Sequence, residues 1–122
     1  MSAPQYSIVF YATSNGRQPV EDFLSDLRKA NIKAYLKCLN YLQRLQLEGV
    51  QLDSHFVEKM KSVKDVWELR PEHLNVEYRI LFGVVGKEII LVWAGIKKGR
   101  GLRQGDIDLA QQRVDEFKTS SR

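Results

Sequence analysis

The first half of the chain changes from a strand-like to a helix-like spacing of hydrophobic residues. Residues 6–11 are β-branched or aromatic at nearly every position, which predicts a strand. Apolar residues at i, i+3, i+4 and i+7 then predict a helix that begins at Pro19. Asn31 can cap a second helix that ends at Gly49. The predicted buried stripe of this second helix is Ile32, Tyr35, Leu36, Leu39, Leu42 and Leu45.

The second half of the chain predicts three more strands and a last helix. Residues 66–70 and 76–84 alternate between two faces, with a short turn between them. Glu88–Ile96 is almost entirely apolar, as a central strand buried on both faces would be. Residues 50–65 have no clean period and predict a loop or a short strand, while Asp106 can cap a C-terminal helix. The order β-α-α-β-β-β-α predicts an α+β fold, with two N-terminal helices packed on a small twisted antiparallel sheet and a short C-terminal helix.

Length and composition favour one globular domain over residues 1–122, with a core from about residue 6 to residue 117. The single cysteine, Cys38, excludes an internal disulfide and indicates a reducing compartment. Together with His55 and His73 it leaves too few soft ligands for a zinc site, so we expect neither a metal nor another cofactor. The sequence has no signal-peptide pattern and no apolar run long enough to span a membrane, which predicts a soluble cytoplasmic protein.

Positive charge is concentrated on one face of the predicted sheet. The chain has 19 Lys and Arg against 15 Asp and Glu, a net charge of +4. Strand alternation places Arg70 and Arg79 on the face opposite Ile80, a predicted core residue. We therefore expect the Arg79 guanidinium to reach an open surface, where its ion pairs would add only about 0–1 kcal/mol to stability. The same surface is expected to gather Lys59, Lys61, Lys97, Lys98 and Arg100, with the aromatic residues Tyr78 and Trp93 among them.

Two interpretations of these cations follow from the pattern. A concave basic surface with aromatic groups suits single-stranded nucleic acid, because cations bind phosphates and rings stack on bases. In the other interpretation the arginines pair with Glu68 and Glu77 beside them, and residues 97–103 form a solvated loop. The pattern alone favours neither.

Several segments resemble, in their order and spacing, the RelE/ParE toxin superfamily. They are WELR at 67–70, EYRILF at 77–82, the apolar strand IILVWAGI at 89–96 followed by KK, and DIDLAQQRVDEF at 106–117. A G-x-x-P-V-x-x-F-L helix start at 16–24 agrees with them. The similarity covers about residues 8–117 and is nearest to the phage-derived, HigB-like toxins of type II toxin–antitoxin systems. It implies a small sheet with two N-terminal helices, and cleavage of mRNA on the translating ribosome.

The resemblance implies roles for five residues in RNA cleavage by the substrate's own 2′-OH, a reaction that needs no metal. Arg79 matches the strand arginine of the family and is expected to stabilise the charge that develops on the phosphate, with Arg70 as a second cation. Lys97 and Lys98 match a basic pair that can clamp the phosphate or protonate the leaving 5′-oxygen. Glu68 is expected to act as the base or to pair with an arginine. The residues expected to bind RNA or the ribosome are Lys59, Lys61, Tyr78, Trp93, Arg100 and Arg103.

The sequence departs from many RelE-type toxins because residues 102–108 contain neither tyrosine nor histidine. The acid–base role then falls to a lysine, to Tyr78 or to the ribosome, or the nuclease is weak. Two alternatives share the implied fold: a ParE-like toxin that poisons DNA gyrase, and a non-catalytic nucleic-acid-binding protein. The cations gathered on the sheet favour the nuclease over a gyrase poison, because gyrase binding gives no reason to collect them there.

All of these interpretations imply a cognate antitoxin as partner. We expect a small helix-turn-helix protein that covers the basic face and represses its own operon, so that the complex binds operator DNA through the antitoxin. The nuclease interpretation adds the ribosome and mRNA as partners. No membrane partner is expected.

Overall fold

The structure, a computed structural model, describes residues 4–120, which form three α-helices and six strands. The helices are α1 (Pro19–Ala30), α2 (Ile32–Glu48) and α3 (Gln104–Ser120), and a 3-10 turn (Gly49–Gln51) follows α2. The strands are β1 (Ser7–Phe10), β2 (Val57–Lys59), β3 (Trp67–Leu69), β4 (Glu72–His73), β5 (Val76–Val85) and β6 (Glu88–Ile96). Within this described part, no helix is both long and apolar enough to cross a bilayer.

The six strands form one sheet in the order β1-β6-β5-β3-β2, with the short β4 paired to β5. The predicted α+β class is confirmed, and β2 is a short strand in the segment without a clear period. One difference concerns direction. β1 runs parallel to β6, with Ser7 opposite Glu88 and Phe10 opposite Leu91, while the other strand pairs are antiparallel. The sheet is therefore mixed, which alternation cannot reveal because the side-chain period is two in either direction.

The two N-terminal helices begin where the local signals predict. Pro19 is the first residue of α1, where its missing N–H leaves no hydrogen bond unmade. The side chain of Asn31 accepts a hydrogen bond from the backbone N–H of Ala34 at 3.1 Å and so caps α2. Both helices pack on one face of the sheet, where they bury the side chains of Tyr78, Ile80 and Phe82.

The buried stripe of α2 differs in phase from the predicted one. Ile32 and Leu36 are 49% and 54% exposed and face outward. Leu42 and Leu45 are buried as predicted, and Ala34 and Cys38 are buried in place of Ile32 and Leu36. Ala34 and Cys38 have small side chains, which let the first half of the helix approach the core closely.

The C-terminal helix α3 covers part of the opposite face of the sheet. It has 17 residues and is therefore longer than the short helix predicted. Its buried residues are Ile107, Ala110 and Val114, which pack with Val66, Leu81, Ile90 and Val92. This second core makes the sheet buried on both faces over most of its length, and only the region beyond α3 stays accessible on that side.

Candidate functional site

The candidate site lies on the α3 side of the sheet, beside the part that α3 covers. β3 and β5 are adjacent there, with Glu68 opposite Leu81 and Leu69 opposite Ile80. Because alternate residues share a face, Arg79 lies on the same face as Leu81 and therefore beside Glu68. The Nε atom of Arg79 is 3.3 Å from Oε2 of Glu68. The two side chains form an ion pair with little access to solvent.

The expectation that Arg79 reaches an open surface is wrong. The residue is 2% exposed, and Glu68 is 9% exposed. Alternation predicted the correct face, but it could not show that the neighbouring carboxylates fold over the guanidinium. Their contacts also bear out the pairing interpretation for both arginines.

Six charged side chains alternate in sign across the site. Arg70 contacts Glu58 at 2.8 Å and Glu68 at 3.5 Å. Arg79 contacts Glu68 at 3.3 Å and Glu77 at 3.0 Å, and Lys97 contacts Glu77 at 3.5 Å. The resulting order, which we call the charge ladder, is Glu58–Arg70–Glu68–Arg79–Glu77–Lys97. Its three cations and three carboxylates compensate one another, so a phosphate can bind here only by taking the place of a carboxylate.

The guanidinium of Arg79 still has unused hydrogen-bonding capacity. Nη1 donates to the backbone oxygen of Tyr78 at 2.7 Å, and Nη2 donates to Oε1 of Glu77 at 3.0 Å. Its Nε is buried and makes no hydrogen bond within the described residues, because the contact with Glu68 is poorly aligned. Of the two carboxylates that contact Arg79, Glu77 is more exposed than Glu68. If Glu77 moves aside, Arg79 still keeps its ion pair with Glu68.

The two carboxylates that flank Arg79 differ in acidity. Burial raises the pKa of Glu68, and the nearby guanidinium groups of Arg79 and Arg70 only partly oppose that effect. The hydrogen bond from Arg79 lowers the pKa of Glu77. Glu68 is therefore the better proton acceptor of the two at a pH near neutrality.

Each member of the Arg79–Glu68 pair lines a different cavity. One, of about 300 Å³, includes Arg79 in its wall and is lined by Ser54, His55, Arg70, Glu72, Glu77 and Arg79. The other, of about 360 Å³, includes Glu68 and is lined by Glu58, Lys59, Met60, Lys61, Ser62 and Glu68. The 3.3 Å contact between the two side chains joins the walls of these two cavities.

The remaining predicted binding residues are distributed unevenly. Lys59 donates to the backbone oxygens of Met60 and Val63 at 3.3 and 3.2 Å, and is therefore partly occupied. Tyr78 lies in the core under α1 and α2, which removes its ring from this surface. Within residues 4–120 no carboxylate pairs with the remaining cations of this set, Lys61, Arg100 and Arg103, or with Lys98, a predicted catalytic residue.

A third cavity lies by the turn that follows β6. It has a volume of about 200 Å³ and brings together two of the predicted binding residues, Trp93 and Arg103, with Lys98, a predicted catalytic residue. Lys98 and Gly101 form an isolated antiparallel bridge that closes the turn. Trp93 and Arg103 therefore line a different cavity from Arg79 and Glu68, and Arg100 is outside its lining.

His55 is a residue of the site that the sequence pattern did not single out. It lies in the wall of the cavity that holds Arg79 and Arg70. The carboxylate of Asp53 accepts a hydrogen bond from the backbone N–H of His55 at 2.7 Å, and Arg70 donates to the backbone oxygen of Ser54 at 3.4 Å. The sequence feature that could have indicated His55 is the Asp53-Ser54 turn. This turn places the histidine just before β2, the strand that pairs with β3.

Among residues 4–120, no group of three or more His, Cys, Asp or Glu side chains is arranged to hold a metal ion. Cys38 is far from such a role, since it is buried in the α2 core and burial raises its pKa to about 11. What the site offers is two arginines, a buried carboxylate and an imidazole around one cleft.

Comparison with known families gives one match. Residues 25–115 match the family model described as Phage derived protein Gp49-like (DUF891). This match spans most of the chain and includes α2, all strands from β2 to β6 and the main part of α3. No curated protein is similar enough to count as a relative.

Proposed function

The chain belongs to the Gp49-like family of phage-derived proteins, a RelE/ParE-like toxin family, and on that premise we propose that it is the toxin of a type II toxin–antitoxin system that cleaves mRNA on the ribosome. One observation supports the proposal above all: Glu68 contacts both Arg79 and Arg70, and these side chains line two cavities of the cleft. This arrangement supplies a base and two phosphate-binding groups at one point. The HigB-like, ribosome-dependent activity is the form that fits a site without a nucleophile of its own.

The proposed reaction is attack of the 2′-OH on the neighbouring phosphate. Glu68 takes the 2′ proton, the 2′-oxygen bonds to phosphorus, and the bond from phosphorus to the 5′-oxygen breaks. The 5′-oxygen takes up a proton, so the products are a 2′,3′-cyclic phosphate and a 5′-hydroxyl. Arg79 and Arg70 bind the phosphate oxygens as negative charge develops on them, with Glu77 displaced by the substrate.

Two groups can supply the proton to the leaving oxygen. His55 lies in the wall of the Arg79 cavity, and an imidazole can both donate and accept protons near neutral pH. Lys97, which pairs with Glu77 at 3.5 Å, is the second donor, and Lys98 lies on the turn beyond it. In this proposal His55 or Lys97 takes the role of the tyrosine or histidine that residues 102–108 lack.

The partners follow from the same proposal. The ribosome presents the mRNA, and the cations that make no ion pair within the described part, Lys61, Lys98, Arg100 and Arg103, contact the RNA backbone around the cleft. A cognate helix-turn-helix antitoxin covers the cleft, and their complex binds operator DNA through the antitoxin. The reaction places the toxin in the cytoplasm.

The test is a cell-free translation reaction with purified protein, followed by primer extension on the mRNA. The wild-type protein is expected to cut the mRNA only when ribosomes translate it. Glu68→Gln removes the base and is expected to lower the cutting rate by about 10²–10⁴-fold. Glu21→Gln, at an exposed position of α1 on the other face of the sheet, is the matched control and is expected to cut normally.

Thermal unfolding of both variants separates a loss of chemistry from a loss of fold. If Glu68→Gln is folded and cuts as fast as the wild type, Glu68 is not the base. If the mRNA stays intact while the protein inhibits DNA supercoiling by gyrase, the ParE-like alternative replaces the nuclease.

A further inference from the structure

The indole ring of Trp93 lies directly on the backbone of Gly95. A Cβ atom added to Gly95 would be 2.5 Å from Cη2 and 3.0 Å from Cζ2 of Trp93, which is too close for any side chain. Glycine is therefore required at residue 95 for the ring to take this position. Gly95 is also the residue opposite Arg79 in the β5–β6 pair. The ring thus occupies the space next to Arg79 that a side chain on the neighbouring strand would otherwise fill.

The cavity beyond β6 combines this ring with three charged groups. Trp93, Lys98, Arg103 and Asp106 all line its wall, in a volume of about 200 Å³. Trp93 is half-buried, so part of its ring is available to a ligand. Lys98 and Arg103 make no ion pair within residues 4–120, whereas the cations of the charge ladder are compensated.

These groups match the parts of a single nucleotide. An aromatic ring stacks on a base, and free cations bind the phosphates on either side of it. A carboxylate accepts hydrogen bonds and donates none, so Asp106 selects a base edge that carries N–H groups. Guanine is the base whose Watson–Crick edge offers two adjacent donors, N1–H and the 2-amino group, to one carboxylate.

We propose that Trp93, Gly95 and Asp106 form a pocket that reads one guanine of the RNA beside the phosphate held at Arg79. The inference deepens the proposed function, since it takes RNA as the substrate. Trp93 stacks on the base, Gly95 positions the ring, and Asp106 accepts from the guanine edge. Lys98 and Arg103 bind the adjoining backbone.

The test measures binding without cleavage and without ribosomes. Trp67→Phe leaves Trp93 as the single tryptophan, whose fluorescence is then followed on addition of the 2′-O-methylated trinucleotides UGU, UAU and UCU. Stacking should quench the emission, and UGU is expected to half-saturate at a concentration about tenfold lower than UAU or UCU, the discrimination of one bidentate base contact. The 2′-O-methyl groups prevent cleavage during the titration.

Two variants in the same background assign the effect to the pocket. Asp106→Asn should abolish the preference for UGU while quenching by all three oligonucleotides persists. Asp108→Asn, on α3 but outside the pocket, is the matched control and should keep the preference. Gly95→Ala should displace the ring and remove the quenching, with circular dichroism showing that the fold is retained.

Three outcomes would overturn the proposal: no quenching by any oligonucleotide, quenching without a preference for UGU, or a preference that survives Asp106→Asn. The proposed nuclease fails separately, because it is judged by mRNA cleavage. Glu68→Gln should retain the UGU preference, so intact mRNA together with selective quenching would keep the pocket and discard the nuclease.

Discussion

Arg79 has a structural role as well as the proposed catalytic one. The sequence predicted an exposed ion pair with little effect on stability, but the structure buries the guanidinium between Glu68 and Glu77. Removing Arg79 leaves the buried Glu68 carboxylate with Arg70, at 3.5 Å, as its remaining cation. Arg79→Met is therefore expected to lower the free energy of unfolding by about 3–5 kcal/mol.

Urea unfolding measures this cost, and a double variant tests its origin. In Arg79→Met with Glu68→Met no buried charge is left, so stability should return to near that of the wild type. Arg79→Lys keeps the charge but loses the bidentate geometry. Compared with Arg79→Met, it should therefore recover most of the stability but little of the RNA-cleaving activity. An Arg79→Met variant as stable as the wild type would mean that Glu68 is adequately solvated without its partner.

At the scale of single elements, the start of α2 depends on one side chain. The Asn31 side chain accepts from the Ala34 N–H at 3.1 Å, and alanine offers no replacement acceptor. Asn31→Ala is expected to cost about 1 kcal/mol in thermal or urea unfolding. Asn40→Ala, at an exposed interior position of the same helix, should be neutral or slightly stabilising because alanine favours helix. Equal losses from the two variants would contradict a capping role.

The docking of α3 depends on pH through Asp65. Lys118 donates to Oδ2 of Asp65 at 2.8 Å, and the backbone N–H of Asp65 donates to the side chain of Gln111 at 2.8 Å. The bond from Lys118 lowers the pKa of Asp65 below its ordinary value of 3.8. The ionised form is thus favoured in the folded protein. The stability that the ionised Asp65 contributes is fully present at pH values above 3.8 and is lost as the pH falls through the folded-state pKa.

Asp65→Asn is accordingly expected to destabilise the protein by up to about 1 kcal/mol at pH 7 and by less at pH 3, because pH 3 lies below the ordinary pKa of 3.8 and part of the contribution is lost there. Urea unfolding at both pH values measures the difference. Asp26→Asn, on the exposed side of α1, is the control and should show no such pH-dependent change. A loss of the same size at both pH values would attribute the effect to packing rather than to charge.

Local signals and distant packing account for what the sequence could and could not predict. Pro19 and Asn31 act on the backbone next to them, so the helix starts were visible in the sequence. The burial of the first half of α2 was not, because Ile32 is as hydrophobic as any core residue, yet the small residues Ala34 and Cys38 are the ones buried there. In the site, alternation predicted the face of Arg79. The burial of its guanidinium depends on Glu68 of the neighbouring strand and on Glu77 of its own strand, and His55 lies in a loop without a repeating pattern.

At the scale of the whole molecule, the sheet separates two cores of different character. The α1–α2 core contains large residues such as Phe82 and Leu45, whereas the α3 core is closed by Ala110 and Val114 against Gly83. A Cβ atom on Gly83 would lie 2.7 and 2.8 Å from the two methyl carbons of Val114. The close approach of α3 to the sheet, which bounds the accessible cleft, therefore requires glycine at this position.

Gly83→Ala is expected to force α3 away from the sheet and to cost about 1–3 kcal/mol, the usual penalty of overpacking a core. Val114→Ala should also destabilise, by about 1.5 kcal/mol from its lost methyl groups. In the double variant the new methyl group enters the space that Val114 vacates, so the combined loss should fall short of the sum by more than about 0.5 kcal/mol. Gly105→Ala, where an added Cβ has no neighbour within 4 Å, is the control and should not destabilise. Strictly additive losses at Gly83 and Val114 would show that α3 adjusts freely, and that its position on the sheet is not set by this contact.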